Sequence, residues 1–264
     1  MIKLGAAANL ASLSFWRSLN LQVDWVEAPY EELFARKDLR GIFVNPDDSE
    51  AILDHLKRIP RSIQECGFVD FIEMTPQGPN PKNFLRENGV ELFARGTRTL
   101  DNRKKAYISG SGPWAKLFCV IAVQMGFQSL LIVVTDKSAG RFIAEELRRF
   151  CFGVDIDLIQ HSELTLRPND GSLLVNTVDP HEYPDVIADL SYLNFLSLEG
   201  LVVETHETIK ENTLVLETKN SRIALIEASV TQAFFEAKAF SLFPGLLPWS
   251  LDEYAEKRKT FLMK

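Results

Sequence analysis

Ala106-Tyr-Ile-Ser-Gly110-Ser-Gly112-Pro-Trp-Ala115 carries a short apolar run straight into a helix-like one. Glycines at 110 and 112 permit a tight turn and a close approach of backbone to a phosphate, and Ala115 is small enough for the new helix to pack against its strand. The exposed N–H groups and positive dipole end at that helix start suit a pyrophosphate. Pro113 falls near the first helical position, where its missing N–H costs little. Leu117, Val120, Ile121 and Met125 recur at helical spacing, and Gly126 sits where the helix would end.

The chain downstream extends the same reading. Ser129-Leu-Leu-Ile-Val-Val-Thr135 is a continuous β-branched run, the pattern of a strand buried on both faces of a parallel sheet. Asp136 follows it, 24 positions after Gly112. A carboxylate there accepts hydrogen bonds from a free ribose 2′-hydroxyl and repels a 2′-phosphate, which favours NAD over NADP. The same residue equally suits the N-cap of a helix over Ser138–Phe150, with Phe142, Leu147 and Phe150 on one side. Val154–Ile159 reads as a further strand, and Gly171–Thr177 as another. Asn176 and Thr177 end that strand, either at the carboxyl edge where an open parallel sheet binds its ligands or as a plain terminating turn. Alternating strand and helix predict a Rossmann-type α/β domain with a parallel sheet.

Composition bounds the function. With 264 residues, 46% hydrophobic and 25% charged, the chain has the make-up of a globular protein of one or two domains. A net charge of −7 argues against a broad nucleic-acid surface. No apolar run reaches the ~20 residues needed to span a bilayer, and the first residues lack a signal-peptide core. Cys66, Cys119 and Cys151 are odd in number and widely spaced, so buried free thiols in a reducing cytoplasm are expected. The four histidines, His55, His161, His181 and His206, show no metal-ligand spacing.

The first hundred residues read as a separate α/β unit. Ile2–Ala6, Val23–Ala28, Gly41–Asn45 and Phe68–Met74 are strand candidates, with a helix at Ser49–Leu56. Pro76-Gln-Gly-Pro-Asn-Pro81 predicts a loop or hairpin connection. Asp101–Lys105 is a charged junction. The expected division is a substrate unit over 1–101, closed by C-terminal helices over 233–264, and a dinucleotide unit over 102–232. Ile226–Phe243 predicts one of those helices, with Gln232, Phe235 and Ala239 on a shared face. Leu201–Thr205 and Leu214–Thr218 both read as strands.

Several short segments, taken in order, resemble the shikimate dehydrogenase family. Ser12-Leu13-Ser14 after the first strand is similar to the family's Ser-Leu-Ser, and Gly41-Ile-Phe-Val44-Asn45-Pro46 to its Gly-x-Asn-Val-Thr-x-Pro segment. Cys66-Gly67-Phe-Val-Asp70, the glycine turn, Leu174-Val-Asn176-Thr177 and the Gln232 segment follow in the family's order. The resemblance implies NADP or NAD as cofactor and hydride transfer to or from a hydroxylated cyclic carboxylic acid such as shikimate, in aromatic amino acid biosynthesis. It implies that Ser12 and Ser14 hold the substrate carboxylate and that Gln232 touches the substrate. It implies a small-molecule substrate in a monomer or homodimer.

The catalytic positions depart from that pattern. The family's lysine has no counterpart, because Pro46 is followed by Asp47-Asp48-Ser49-Glu50 and the first lysine is Lys57. Asp101 is the carboxylate nearest the expected place of the family's aspartate, which makes it the candidate acid–base residue; a solvated linker residue is the alternative. Arg98 can orient a carboxylate but cannot readily act as a base, since arginine stays protonated. Phe43 and Asp70 replace two substrate-binding asparagines. Two functions therefore stand open: an enzyme, either a dehydrogenase or another Rossmann-type enzyme such as a reductase with different chemistry, or a paralogue that binds a nucleotide or small acid without catalysis. Gly110, Gly112, Ala115, Asp136, Asn176 and Thr177 are the expected cofactor residues under both.

Overall fold

The computed structural model describes residues 1–7, 10–96 and 100–263. The first part of the chain runs β1 (Ile2–Ala6), α1 (Ser12–Ser18), β2 (Val23–Glu27), α2 (Tyr30–Ala35), β3 (Gly41–Phe43), α3 (Ser49–Leu53), α4 (Arg61–Cys66), β4 (Phe71–Thr75), β5 (Gly78–Lys82) and α5 (Phe84–Gly96). Its strands form one sheet in the order β2-β1-β3-β4-β5. The first three strands are mutually parallel, and β4 and β5 add antiparallel to one edge. The predicted hairpin at Pro76–Pro81 is β4 turning into β5. Its prolines are tolerated because β5 is an edge strand, where a missing N–H breaks no inner ladder.

The remainder runs β6 (Lys105–Ser109), α6 (Pro113–Gln124), β7 (Ser129–Val134), α7 (Lys137–Arg148), β8 (Asp155–Gln160), β9 (Gly171–Asn176), α8 (Pro184–Leu190), β10 (Leu196–Glu204), α9 (Thr213–Asn220), β11 (Ala224–Ile226), α10 (Ala228–Ser241) and α11 (Leu251–Leu262). Six strands make an all-parallel sheet, β11-β10-β9-β6-β7-β8. The order reverses beside β6, the first strand laid down. A crevice beyond the carboxyl ends at that switch point is where such a sheet receives ligands. The fold is therefore a Rossmann-type parallel sheet joined to a second α/β unit, with α10 and α11 as C-terminal helices. Among the described residues no helix is long and apolar enough to cross a membrane.

Two expectations about elements are corrected. Leu214–Thr218 lies in helix α9, not in a strand. The Asn212 side chain caps that helix by accepting from Val215 N–H at 3.0 Å, and Leu214, Val215 and Thr218 share its buried face at helical spacing. In α7 the buried face is Gly140, Ile143, Ala144 and Leu147, whereas Phe142 and Phe150 point outward. Size misled there: a tight fit against Val134 and Leu158 admits only glycine at 140.

Core packing fixes the relation of the two sheets. One apolar cluster runs from β1 and α1 through α5, α6 and β7 to α10 and α11. Trp114, at the start of α6, packs its ring on Phe68 of the first unit at 4.9 Å between centroids and on Phe235 of α10 at 6.4 Å. Lys116 adds a polar tie, its Nζ lying 3.0 Å from Glu50 of α3 and 2.7 Å from Glu146 of α7.

Candidate active site between the two sheets

The glycine turn leaves β6 at the carboxyl edge of the parallel sheet. Gly110 has φ of +102°, and a Cβ there would stand 2.4 Å from Thr177 Oγ1, so both backbone shape and space require glycine. Gly112 is the N-cap of α6, and its Cβ position is open. The first helical bond runs from Lys116 N–H to the Gly112 carbonyl at 3.2 Å. The amides ahead of it have no helical partner, and the backbone of exposed Ser111 and Gly112 faces a crevice. Val133 and Thr135 at the end of β7 line the same crevice, as do Thr177, Asp179 and Glu182 after β9. The amides offer the positive potential a phosphate needs, while the carboxylates on the opposite wall suit sugar hydroxyls. The turn and its surroundings thus fit a dinucleotide.

A second cleft opens between the units. Ser12 and Trp16 of α1, Asn45 and Asp47 after β3, Trp114, Thr205–Glu207 after β10, Gln232, Phe235 and Glu236 of α10 and Arg258 of α11 contribute to its lining. Asp47 and His206 line both the crevice and this cleft, so the two spaces meet at that pair.

Local structure explains how His206 reaches the junction. Glu204, fully buried at the end of β10, accepts from Thr205 N–H at 2.9 Å, His206 N–H at 3.0 Å, Asn176 Nδ2 at 3.0 Å and Asn212 Nδ2 at 3.1 Å. That carboxyl folds the chain into a turn directed at the cleft. Burial pushes its pKa up to about 7 against the pull of these donors. The Thr205 hydroxyl has one proton and places it on the Asn176 carbonyl at 2.9 Å. His206 Nδ1, 3.0 Å from the same hydroxyl, must then be the donor in that contact. In the neutral ring this leaves Nε2 as an acceptor. Burial lowers the His206 pKa, opposed by Asp179, Asp47 and Glu182, which favours that neutral form. Partial burial raises the Asp47 carboxyl; His206 opposes this and Asp48 and Asp179 reinforce it.

The deep end of the cleft is a closed charge network. A Ser250–Glu253 capping box starts α11, and Tyr254 and Arg258, one helical turn apart, turn inward together. Arg258 is 4% exposed. Its Nη1 donates to both Glu236 oxygens at 2.6 and 2.8 Å, its Nε and Nη2 to Glu207 at 2.5 and 2.7 Å, and its Nη2 also to Ser12 Oγ at 2.8 Å. All five donors of the guanidinium are used. Burial works against its charge, and Glu236 and Glu207 overcome that to hold its pKa above the usual value. Trp16 Nε1 and the Tyr254 hydroxyl complete the shell of Glu236 at 3.1 and 2.7 Å.

The structure brings together some of the residues expected from sequence. Gly110, Gly112 and Thr177 line the crevice, and Ser12 and Gln232 line the cleft. Gln232 donates to the Thr205 carbonyl at 3.0 Å. Ser14 does not join Ser12; two positions on, it faces solvent on the other side of α1. Ala115 is fully buried and serves helix packing. Asn176 is also buried, binding Ser109, the Val178 backbone and Glu204. Asp136 is exposed after β7 and caps α7 by accepting from Ser138 N–H at 2.9 Å. Asp101 precedes β6, at the opposite end of the sheet from the crevice, and pairs with Arg103 at 2.8 Å. Arg98 lies outside the described residues. Phe43 turns into an aromatic cluster with Trp16, Phe71 and Phe240. Asp70 is fully buried, with one oxygen accepting from Leu85 N–H at 3.0 Å and the other without a partner among the described residues.

Sequence reasoning missed Asp47, His206, Glu207, Glu236 and Arg258. They come from four segments far apart in the chain, and none carries a local motif. The Asn45-Pro46-Asp47 turn was the one available signal: Asn45 caps a short 3₁₀ helix.

This architecture is that of the shikimate dehydrogenases. Shikimate 5-dehydrogenase from Thermus thermophilus in complex with shikimate superposes with a TM-score of 0.73 at 18% identity, over 99% of each chain. Quinate dehydrogenase from Corynebacterium glutamicum in complex with NAD gives 0.76 at 14% identity, covering 97% of this chain and 98% of that one. Ligand-free 5-ketofructose reductase from a Gluconobacter species gives 0.75 at 14% identity and 98% of both chains. No protein-family model matches the sequence, and a search of curated proteins finds no match either.

Proposed function

We propose that the chain is a dehydrogenase-like oxidoreductase that binds NAD or NADP at the glycine turn and an alcohol or ketone in the adjoining cleft. Residues 102–232 then act as the dinucleotide unit, and 1–101 with the C-terminal helices as the substrate unit. One observation carries this reading: the exposed helix start at the carboxyl edge opens into the second cleft through the shared pair Asp47 and His206. Proteins of this fold have been crystallised with NADP(H) and shikimate and with NAD. The acceptor chemistry for hydride is what a bound nicotinamide supplies. The chain's part is to hold the substrate and take the hydroxyl proton, for which neutral His206 Nε2 is suited; general-base help of this kind contributes about 10²–10⁴-fold. The dinucleotide is held by amides of Ser111 and Gly112, with Thr177 beside them. Asp136 can accept from a ribose hydroxyl while it caps α7, and Lys137, paired with Glu163 at 3.0 Å, is the neighbouring cation for a 2′-phosphate, so the end of β7 carries partners for either cofactor.

A hydroxylated cyclic acid such as shikimate is the substrate the resemblance suggests, and a sugar ketone is the one suggested by 5-ketofructose reductase. Titration of the purified protein with each dinucleotide, followed by turnover assays on shikimate, quinate and uncharged polyols, tests the proposal. Binding plus dinucleotide-dependent turnover supports it; the absence of binding to both dinucleotides overturns it. A non-catalytic binder is the second reading, favoured by one fact: among the described lining residues of the cleft no lysine is present. Binding without turnover on any substrate selects it.

A further inference from the structure

We infer that the cleft takes an uncharged polyhydroxylated ligand and disfavours a carboxylate, a statement that rests on its role as the substrate half of the proposed site. Among the described residues the cleft lining holds three carboxylates, Asp47, Glu207 and Glu236, against one permanent cation, Arg258. That cation is not available to an incoming anion. Its five N–H groups are spent on Glu236, Glu207 and Ser12. To bind a carboxylate, Arg258 would have to release Glu207 or Ser12, and releasing Glu207 would set two acids beside the anion.

The serine at the mouth of α1 is engaged in the same way. Ser12 Oγ accepts from Arg258 at 2.8 Å, so its oxygen points a lone pair at the guanidinium and only its single proton is left to give. Ser14, the second serine that a carboxylate clamp would need, faces solvent. The remaining polar lining is Asn45, Thr205, His206 and Gln232. Together with the acids these are good acceptors for hydroxyl donors, and a hydroxyl bonded to a carboxylate makes one of the stronger neutral–ion hydrogen bonds. The arrangement therefore rewards a ring or chain of hydroxyls and penalises a negative charge.

The test compares quinate and shikimate with their carboxamides, which keep the ring and hydroxyls and remove the charge. Binding is measured by calorimetry on the full chain, with and without saturating dinucleotide. The amides are expected to bind about tenfold or more tighter than the acids, the scale of one unscreened like-charge contact in a partly buried site. In Glu207→Gln, which removes one acid and frees Arg258 donors, the affinity of the acids relative to the amides is expected to rise about tenfold. Acids that bind as tightly as the amides in the unmodified protein overturn the inference, as does failure of both to bind. An unchanged acid-to-amide ratio in Glu207→Gln overturns its charge argument. A protein that prefers amides but binds neither dinucleotide sinks the oxidoreductase reading and leaves this one standing.

Discussion

The crevice and the cleft meet at Asp47 and His206, yet they are made by opposite means. The phosphate-facing wall of the crevice is one contiguous stretch, in which strand, turn and helix start follow each other without interruption. The cleft is assembled from α1, the β3 and β10 termini, α10 and α11. The first is held by backbone shape: Gly110 has no room for a side chain. The second is held by charge: a buried guanidinium shared between two carboxylates. A backbone device can persist with any residues around it. A charge network must be complete or it becomes a liability, because each buried ion depends on its partners.

Breaking that network should therefore cost most. Arg258→Met leaves Glu236, which has no exposed surface, without its cation. Loss of one partner of a buried pair costs about 3–5 kcal/mol, to be read in denaturant unfolding. Adding Glu236→Gln to the same chain should recover part of the loss. An unfolding midpoint unchanged in the single variant would show that the network does not hold the cleft.

Asp70 tests the same principle at a buried carboxyl that has the Leu85 N–H as a partner and, among the described residues, no cation. Burial pushes its carboxyl up to about 7, well above its unfolded value. Between an ordinary carboxylate pKa near ~4 and this value the folded state binds the proton and the unfolded state does not, so stability must fall as pH rises through that window and level off above it. The effect is bounded at about 4 kcal/mol by the size of the shift. Asp70→Asn should flatten the slope, measured as unfolding free energy at pH 5 and pH 8. Parallel curves for the two proteins would contradict the assignment.

At the junction, His206→Gln should lower turnover about 100-fold while leaving dinucleotide affinity nearly intact. Activity should rise with pH through the His206 pKa, because the neutral ring is the base, and the inflection should lie below the ordinary histidine value of 6.5 since burial lowers it. The variant should lose that acid limb. A loss of affinity with turnover preserved would instead make His206 a binding residue.

The same contrast governs what could be read from the chain beforehand. The parallel sheet and its turn were legible because β-branched runs, Gly110, Gly112 and Pro113 state their geometry within a few residues. Ala115 follows that turn and Asn176 closes β9, yet their side chains face the core, since position along a strand or helix does not set direction. Leu214–Thr218 has the composition of a strand, and only the Asn212 cap decides for a helix. Asp101 was attractive by its place near the expected motif, but it precedes β6, and ligands gather where strands end. Arg258 and Glu207 were silent because nothing local distinguishes a surface salt-bridge residue from one that folding buries 51 positions away from its partner.

The glycine turn remains the point on which the functional account stands, and Gly112→Asp addresses it most directly. The Cβ space there is open and the backbone is extended, so aspartate fits and is a good helix N-cap. Stability should hold or rise slightly, while a negative charge is placed where the diphosphate would sit. Calorimetric titration with NAD and NADP should show binding to the unmodified protein and a loss of about tenfold or more in the variant. Equal affinity in the two proteins, at equal stability, would mean that the dinucleotide does not lie on this helix start.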